Sequence, residues 1–449
     1  MTGSLVGELA GIAARAGALS TAGPSPECAE SRGPGASTPP HTTVPRPRPS
    51  RGSTGSTDGG GSTKGTTDTT GRGGTEHTGS TEHMGETGEA GRPLVLADRP
   101  DGTVVRLGSV VSKAHPADSD RAALSVRLRV AAHPLLDGIL LAPLPVPAPP
   151  LRPGRPQAPA RTQAPSRAPS PSRAPSPSRA PSPSRAPARA QVSRPAQSLA
   201  PAQAPAPPPV LLAELRDGRP ATLWPHGIPV CPDDPDAAPW EAAAVLLARL
   251  HAVPPRSLPG PLPPMRGPAK TARALRRLRD VPPGSASAAV LRAAGRLPAW
   301  ARGEEPPPGA GDHTLCHGDF HLGQLVRSPA PGGPWLLIDV DDLGLGPPAW
   351  DLARPAAWYA TGLLAPEDWT RFLGGYRSAG GAALPADGDP WPHLDVPARA
   401  LTVQSAAQAL VRAAAARRAL DEPEEALVDA CSRMARLPVE PPAGTRASP

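Results

Sequence analysis

The sequence predicts an α+β fold with a small β-rich lobe, a larger and mainly helical lobe, and long disordered segments. Three observations support this prediction. Short apolar runs between turn residues fill 93–142 and resume over 210–231. Helical spacing of apolar residues prevails over 232–438. The remaining stretches are low in complexity and, with 46 Gly and 69 Pro among 449 residues, much of the chain cannot contribute to a packed core.

Three segments contain too little apolar area to offset the conformational entropy lost on folding. The predicted disordered segments are a Gly/Ser/Thr-rich tail over 1–92, a Pro/Ala/Arg/Ser-rich insertion over 143–209 and a tail over 439–449. The insertion repeats the hexamer SRAPSP between Ser166 and Pro183, and its prolines favour an extended polyproline II spacer. A passive linker is the favoured interpretation, and a partner that binds polyproline is the alternative.

The first lobe is predicted from short strands separated by tight turns. The predicted strands are Leu94–Ala97, Val104–Leu107, Val110–Ala114, Ile139–Ala142, Val210–Leu215 and Ala221–Trp224, with one helix over Arg121–Ala132. Because strands resume after residue 209, we expect the insertion to be a surface loop of one domain. Loop-closure entropy allows this, since its cost grows only as the logarithm of loop length.

The second lobe is predicted to be helical apart from one hairpin. The predicted helices are Trp240–His251, Thr271–Arg279, Ala286–Leu297, Pro366–Ser378, Pro397–Leu420 and Glu424–Leu437. The hairpin consists of Leu325–Arg327 and Trp335–Ile338, joined by a turn rich in proline and glycine.

Charge, hydropathy and cysteine spacing exclude several classes of protein. The net charge is +7, but nine arginines lie within 151–194, which contains no acidic residue. The rest of the chain is nearly neutral, so no nucleic-acid partner is expected. No stretch approaches the roughly 18 apolar residues of a membrane span, and the four cysteines form no CxxC pair. We therefore expect a cytoplasmic protein without membrane contact.

The chemistry is concentrated on the hairpin. His317-Gly-Asp319-Phe-His-Leu-Gly-Gln324 is followed by Asp339 at the end of the next apolar run. The order and spacing match the protein-kinase catalytic loop H-x-D-x-x-x-x-N and its later magnesium-binding aspartate. Asp319 would orient the substrate hydroxyl and accept its proton, while Gln324 and Asp339 would hold Mg²⁺. A solvated acidic loop without catalytic function is the alternative.

Two further sets of residues near this motif allow other interpretations. A zinc site could be built from His313, Cys316, His317 and His321. No helical HxxxH or CxxC framework fixes tetrahedral geometry there, so this interpretation is disfavoured. Asp341 and Asp342 are predicted to cap a turn, and a second metal is the alternative.

The motifs HGDFHLGQ, IDVDD and Trp350-Asp-Leu-Ala353 resemble the aminoglycoside phosphotransferase family, over roughly 93–142 and 210–437. The resemblance implies a protein-kinase-like fold, with ATP and Mg²⁺ as cofactors. It implies transfer of a phosphoryl group to a hydroxyl of a small molecule, such as an aminoglycoside, a sugar or an amino alcohol.

The resemblance also assigns roles within the catalytic loop. It implies that Asp319 is the catalytic base, that Gln324 and Asp339 are the metal ligands, and that Asp351 supports the catalytic loop. His317 is expected to pack beneath the loop. Asp351 could alternatively be only a helix N-cap.

Lys113 is predicted to bind the nucleotide, because it lies near the end of the third strand, where kinases place the lysine that pairs with the α- and β-phosphates. No glutamate follows in the predicted helix, so Asp118 or Asp120 is a candidate partner of Lys113, and the choice between them stays open.

The turn over 99–102 would take the position of the loop that covers the phosphates in kinases. It lacks the GxGxxG pattern of that loop, so a plain hairpin turn is at least as good an interpretation. The segment 222–227 occupies the place of the adenine-contacting hinge.

Two further features of the sequence bear on activity and on the substrate. The resembled family usually has Asn where this chain has Gln324, and the extra methylene moves the amide oxygen outward. The rival hypothesis is therefore an inactive pseudokinase that binds nucleotide or acts as a scaffold. Near the C-terminus, Asp421, Glu422, Glu424 and Glu425 could bind ammonium groups of a substrate, although an exposed acidic turn is the favoured interpretation.

Overall fold

The computed structural model describes residues 2–21, 91–99, 102–148 and 209–436. The helices are α1 (Thr2–Thr21), α2 (Arg121–Ala131), α3 (Trp240–Ala252), α4 (Gly267–Arg279), α5 (Ser285–Ala294), α6 (Ala349–Thr361), α7 (Pro366–Ser378), α8 (Trp391–Ala416) and α9 (Glu422–Met434). The strands are β1 (Leu94–Arg99), β2 (Gly102–Leu107), β3 (Val110–Ala114), β4 (Ala213–Glu214), β5 (Pro220–Pro225), β6 (Ile228–Pro229), β7 (Thr314–Cys316), β8 (Leu325–Arg327), β9 (Trp335–Leu337) and β10 (Gly344–Gly346).

An antiparallel sheet of five strands, in the order β1-β2-β3-β5-β4, forms the N-terminal lobe. Its register places Lys113 between Val104 on β2 and Thr222 on β5. Gly102 begins β2 where a Cβ atom would lie 2.9 Å from the carbonyl oxygen of Ala114. Only glycine therefore allows this close approach of the backbone to β3.

The N-terminal segment contains a helix, so the prediction of disorder over all of 1–92 is wrong for Thr2–Thr21. Leu9 and Ile12 of α1 are 0% and 6% exposed, and they pack with Val105 and Leu223 of the sheet. The apolar residues of α1 follow helical spacing, but the Gly/Ser/Thr-rich stretch that follows dominates the composition of the region. The rest of the predicted tail, from residue 22 to residue 90, lies outside the described residues.

The two ends of the proline-rich insertion lie side by side. The amide of Val146 donates a hydrogen bond of 2.7 Å to the carbonyl of Val210, and Leu144 bonds to Leu223 of β5 at 2.8 Å. Residues 143–148 therefore run along the sheet, and the predicted start of the disordered insertion at 143 is too early. The repeats themselves, within 149–208, lie outside the described residues.

The larger lobe packs its helices around α8, which contacts α4, α5, α6 and α9. α8 begins at Trp391, six residues before the predicted start at Pro397. Pro397 lies within its second turn, and the buried packing of this helix outweighs the missing hydrogen bond. Among the described residues, no helix is long and apolar enough to cross a membrane.

The predicted strand over Ile139–Ala142 is wrong. This segment forms one isolated bridge, from Leu140 to Leu337 of β9, and exchanges backbone hydrogen bonds with that residue. The predicted hairpin is present as β8 and β9, and β6 extends it to a sheet of three strands. β7 pairs with β10, so the catalytic motif leaves one small sheet and enters another.

Candidate active site

Helix α6 holds the loop that follows β7. The Asp351 carboxylate accepts hydrogen bonds from the backbone amides of His317, at 2.6 Å, and Gly318, at 2.8 Å. Asp351 is 1% exposed and lies inside α6, so it is not the N-cap of that helix. His251 of α3 contacts the same carboxylate at 3.0 Å and the Tyr376 hydroxyl at 2.7 Å. A buried network therefore fixes the start of the catalytic loop.

One turn further along α6, Arg354 holds Asp319. Its Nη2 donates to Asp319 Oδ1 at 2.7 Å, and its Nε donates to the carbonyl of Phe320 at 3.2 Å. Lys270 of α4 holds the other carboxylate oxygen, with Nζ 2.5 Å from Asp319 Oδ2. Burial alone would raise the pKa of Asp319, but Lys270 and Arg354 outweigh it and hold that pKa below its usual value. Asp319 is therefore a carboxylate at neutral pH.

Asp339 follows β9 with φ 64° and ψ 75°, a left-handed conformation that is uncommon outside glycine. Lys113 Nζ lies 2.7 Å from Asp339 Oδ1 and 3.0 Å from Asp341 Oδ2. Burial alone would lower the pKa of Lys113, but the Asp339 and Asp341 carboxylates outweigh it and raise that pKa above its usual value. His115, which is 2% exposed, contacts Asp341 at 3.2 Å and Thr222 at 2.9 Å.

These residues line one cleft of about 550 Å³. Lys113, Asp319, Gln324 and Asp339 all contribute to its wall, together with Asp341 and Asp342. The sequence-predicted catalytic, metal-binding and nucleotide-binding residues are thus brought together. His317 and Asp351 lie beneath the loop, where His317 Nε2 bonds to the carbonyl of Ile338 at 2.7 Å.

The lining residues fit a hard divalent cation. Asp339, Asp341 and Gln324 line the cleft and offer carboxylate and amide oxygens, the ligands that Mg²⁺ prefers. The position already attracts positive charge, because the Lys113 ammonium lies between two of these carboxylates. Asp339 and Gln324 are the residues that would hold the ion.

Several predictions need correction. Lys113 pairs with Asp339 and Asp341, and Asp120 instead caps α2 through the amide of Ala123. Asp341 and Asp342 form ion pairs with Lys113 and Lys270, so turn capping is not their main interaction. The structure places no metal cluster at the four residues considered for zinc in the sequence. Within the described ranges, the potential metal ligands that lie close together are His251, Cys316 and Asp351.

This trio functions as an internal hydrogen-bond network. Both ring nitrogens of His251 are bonded, and Asp351 accepts two backbone amides. Burial raises the pKa of the Cys316 thiol well above its usual value, which disfavours the thiolate that a metal would need. The acidic turn near the C-terminus is structural: Asp421 and Glu424 form a capping box at α9, and Arg418 binds Glu424 at 2.7 Å.

Sequence reasoning missed four residues that shape the site, namely His115, His251, Lys270 and Arg354. Lys270 carried a signal, because it is one of three lysines in a chain that otherwise uses arginine. Arg354 also carried one, since it follows Asp351 by three residues and shares its helix face. The partners of the two histidines are more than 90 residues away in sequence, so no local pattern indicated them.

Residues 178–391 match the family described as the phosphotransferase enzyme family. The chain is similar to a choline/ethanolamine kinase family protein from Mesorhizobium loti, with 16% identity over 78% of this chain and 88% of that chain and a TM-score of 0.43. The chain is also similar to spectinomycin phosphotransferase APH(9)-Ia, in complex with ADP and spectinomycin, with 14% identity over 76% of this chain and 92% of that chain and a TM-score of 0.43. An ethanolamine kinase from Plasmodium vivax is 10% identical over 78% of this chain and 82% of that chain, with a TM-score of 0.40. No curated protein matches.

The family match includes Asp319, Gln324, Asp339 and Asp351, the residues on which the resemblance in the sequence rested. It thereby confirms that resemblance and the protein-kinase-like fold that it implied. Over residues 178–391 the chain is therefore similar to the phosphotransferase enzyme family.

Proposed function

We propose that the chain transfers the γ-phosphoryl group of ATP to a hydroxyl of a small molecule, with Mg²⁺ as the required ion. One observation carries this proposal. Asp319 and Asp339 line the same cleft, and each is held by a lysine that comes from a different lobe, Lys270 and Lys113 respectively. This arrangement offers a base on one side and a cation-binding position beside a phosphate-binding lysine on the other.

Asp319 is the group that would orient the acceptor hydroxyl. Both of its carboxylate oxygens are already bonded, to Lys270 and to Arg354, yet each retains a further lone pair for a hydroxyl donor. Its lowered pKa makes Asp319 a weak base. A weak base suffices, because a loose phosphoryl-transfer transition state demands little proton removal before the new bond forms.

The nucleotide phosphates would lie on the side of Lys113 and Asp339. When bound, Mg²⁺ would neutralise charge on the phosphates, and Asp339 and Gln324 would hold it. Lys113 can exchange a carboxylate for phosphate oxygens because its flexible side chain carries three donors. In the transfer, the acceptor oxygen bonds to the γ-phosphorus and the bond to the leaving diphosphate oxygen breaks. The hydroxyl proton passes to Asp319 and then to solvent.

Burial and the neighbouring Arg354 lower the pKa of His321 to about 4. At neutral pH this imidazole is therefore uncharged, although it lies beside the ionised Asp319. It can donate or accept a hydrogen bond at the floor of the cleft without adding positive charge.

The second candidate is a pseudokinase that binds nucleotide without transfer. Gln324 is the observation that favours it, because its longer side chain places the amide oxygen differently from that of Asn. Gln324 is 9% exposed and its backbone carbonyl bonds to the amide of Ile338 at 2.9 Å. The backbone is thus fixed at the start of β8, and Gln324 lines the same cleft as Asp319 and Asp339, which supports the active interpretation.

The test compares the wild-type chain with Asp319→Asn in magnesium-dependent ATP turnover and transfer to hydroxylated acceptors. We expect the wild type to turn over and the variant to lose at least about 100-fold in kcat, the scale of a positioned base. Asp233→Asn, in an exposed loop, is the matched control and should retain full activity. Equal residual rates in the wild type and in Asp319→Asn, with nucleotide binding retained, would establish the pseudokinase instead.

A further inference from the structure

One wall of the cleft is basic, and the proposed function uses only one of its cations, Lys270. Arg266, Lys270 and Arg273 all line the cleft from the beginning of α4. Their spacing of four and three residues places them on one face of the helix. The face therefore presents three cations in a row, and Lys270 in the middle touches the Asp319 carboxylate.

This wall is fixed by packing. Gly267 lies so close to the Trp350 indole that a Cβ atom would be 2.0 Å from its Nε1. The Thr271 hydroxyl, which is fully buried, donates to Gln404 of α8 at 3.0 Å. The amide of Arg266 bonds to the carbonyl of Asp342 at 3.1 Å. The backbone of α4 is thus fixed relative to the catalytic loop, so the positions from which its cationic side chains extend are preformed.

A fourth cation approaches the same place from the N-terminal lobe. Arg127 is 5% exposed, and its Nε donates to the carbonyl of Leu343 at 2.7 Å. Its second contact is also a carbonyl, that of Pro264 at 3.5 Å. Burial lowers the pKa of Arg127, and the nearby Arg266 lowers it further. Asp342, Asp341 and Asp120 oppose this shift. Arg127 and Arg266 both line the cleft, so this part of its wall carries two guanidinium groups.

The carboxylates of the cleft do not neutralise this wall completely. Asp319 and Asp342 pair with Lys270, and Asp319 also pairs with Arg354. The Arg266 guanidinium reaches Asp342 only at 3.6 Å. Arg273 is exposed, and its guanidinium has no hydrogen bond or ion pair with any residue that the structure describes.

We propose that the acceptor alcohol carries an anionic group, a carboxylate or a phosphate, which binds against Arg266, Lys270 and Arg273 while its hydroxyl faces Asp319. This inference rests on the proposed function and narrows its substrate class. Because Lys270 contacts Asp319 directly, the anionic group and the reacting hydroxyl must be only a few bonds apart. Arg273 lies about 4.5 Å further along the helix axis, within reach of a second anionic oxygen.

A cationic acceptor would meet like charge at this wall. The remaining acids of the cleft lining, Asp118 and Asp120, belong to the loop before α2, and Asp120 is already used as the cap of that helix. The acidic turn at α9 does not line the cleft. An amino alcohol would therefore find its ammonium group beside lysine and arginine.

The test uses three acceptors that share a three-carbon skeleton and differ in charge: glycerate, glycerol and 3-amino-1,2-propanediol. We expect kcat/KM to fall in that order, with glycerate favoured over glycerol by about tenfold or more, the strength of a charge-assisted hydrogen bond. In Arg273→Gln this preference should shrink through a higher KM for glycerate. Arg276→Gln, an exposed arginine of α4 outside the cleft lining, is the matched control and should retain the wild-type preference.

A second measurement separates an anionic acceptor from the nucleotide phosphates, which share its chemistry. Binding of Mg²⁺-ADP and of a non-hydrolysable ATP analogue is measured by calorimetry in the wild type and in Arg273→Gln. Unchanged nucleotide affinity together with weaker glycerate binding supports the inference. It is overturned if the variant loses nucleotide affinity instead, if glycerol or the amine is the better acceptor, or if no member of the series binds while ATP turnover is intact. Absence of both nucleotide binding and turnover would mean that the proposed function itself has failed.

Discussion

Two lysines approach the catalytic hairpin from opposite lobes, and they reach it by different means. Lys113 extends from β3 and lies between Asp339 and Asp341. Lys270 extends from α4 and lies between Asp319 and Asp342, at 2.5 and 2.9 Å. In each case one compact ammonium group bridges two carboxylates, a task that suits lysine better than the planar fork of arginine. A chain that otherwise uses arginine thus places two of its three lysines at these positions.

The difference between them concerns what fixes each position. The position of Lys113 is set by the strand register, which pairs it with Val104 and Thr222. The strand that contains it can be predicted from the sequence, because apolar runs between turn residues indicate strands. Lys270 is located by the packing of α4 on α6 and α8, through Gly267 and Thr271. Local patterns do not encode such helix packing. The lysine on the proposed nucleotide side of the cleft was therefore predictable, and the lysine on the proposed acceptor side was not.

The largest expected effect removes the buried carboxylate that holds the loop before Asp319. Asp351→Ala would leave the amides of His317 and Gly318 buried without acceptors, and His251 without one of its two partners. We expect a loss of about 3–5 kcal/mol in the free energy of unfolding, the cost of breaking a buried pair. Urea denaturation measures it, with the exposed Asp233→Ala as control. A loss below about 1 kcal/mol would show that the loop does not depend on α6.

A smaller effect, on nucleotide affinity, distinguishes the role of Lys113 from that of Lys270. Lys113→Met should weaken Mg²⁺-ADP binding by about 10- to 100-fold, because it removes a charged phosphate donor and the ammonium group that Asp339 and Asp341 share. Lys270→Met should change the same affinity by no more than about threefold, since Lys270 contacts Asp319 and Asp342 and lies on the proposed acceptor side. Calorimetric titration of both variants tests this contrast. Equal losses in the two variants would mean that both lysines bind the nucleotide.

The smallest effect is a displacement of the pH profile. Asp319 acts as a carboxylate, so activity is present above its pKa and is lost as the pH falls through that pKa. Burial would raise the pKa of Asp319, and Lys270 and Arg354 lower it. Lys270→Gln removes one of these cations, so the acid limb of kcat/KM should move to higher pH. Arg276→Gln should leave it in place, and an acid limb that does not respond to Lys270→Gln would mean that another group controls it.

Helix α1 shows why composition can mislead. Its apolar residues Leu5, Leu9, Ile12 and Ala16 follow helical spacing. An isolated segment of about 20 residues gains too little from its own hydrogen bonds to be predicted as stable. The partner that stabilises it is the outer face of the five-stranded sheet, formed mostly by residues more than 90 positions away in sequence. Burial against Val105 and Leu223 supplies the stability that local propensity does not.

The sequence by itself determined the order of the two lobes, the strands of the first sheet and the catalytic loop from His317 to Gln324, because these depend on local periodicity and on spacing along one hairpin. Only the tertiary structure decided which charges meet. Lys270 reaches Asp319 across 49 positions and Lys113 reaches Asp339 across 226. Electrostatic pairing acts through space over a few ångströms. The sequence pattern therefore does not predict which distant charges pair, because the packing of the lobes decides which of them come close together.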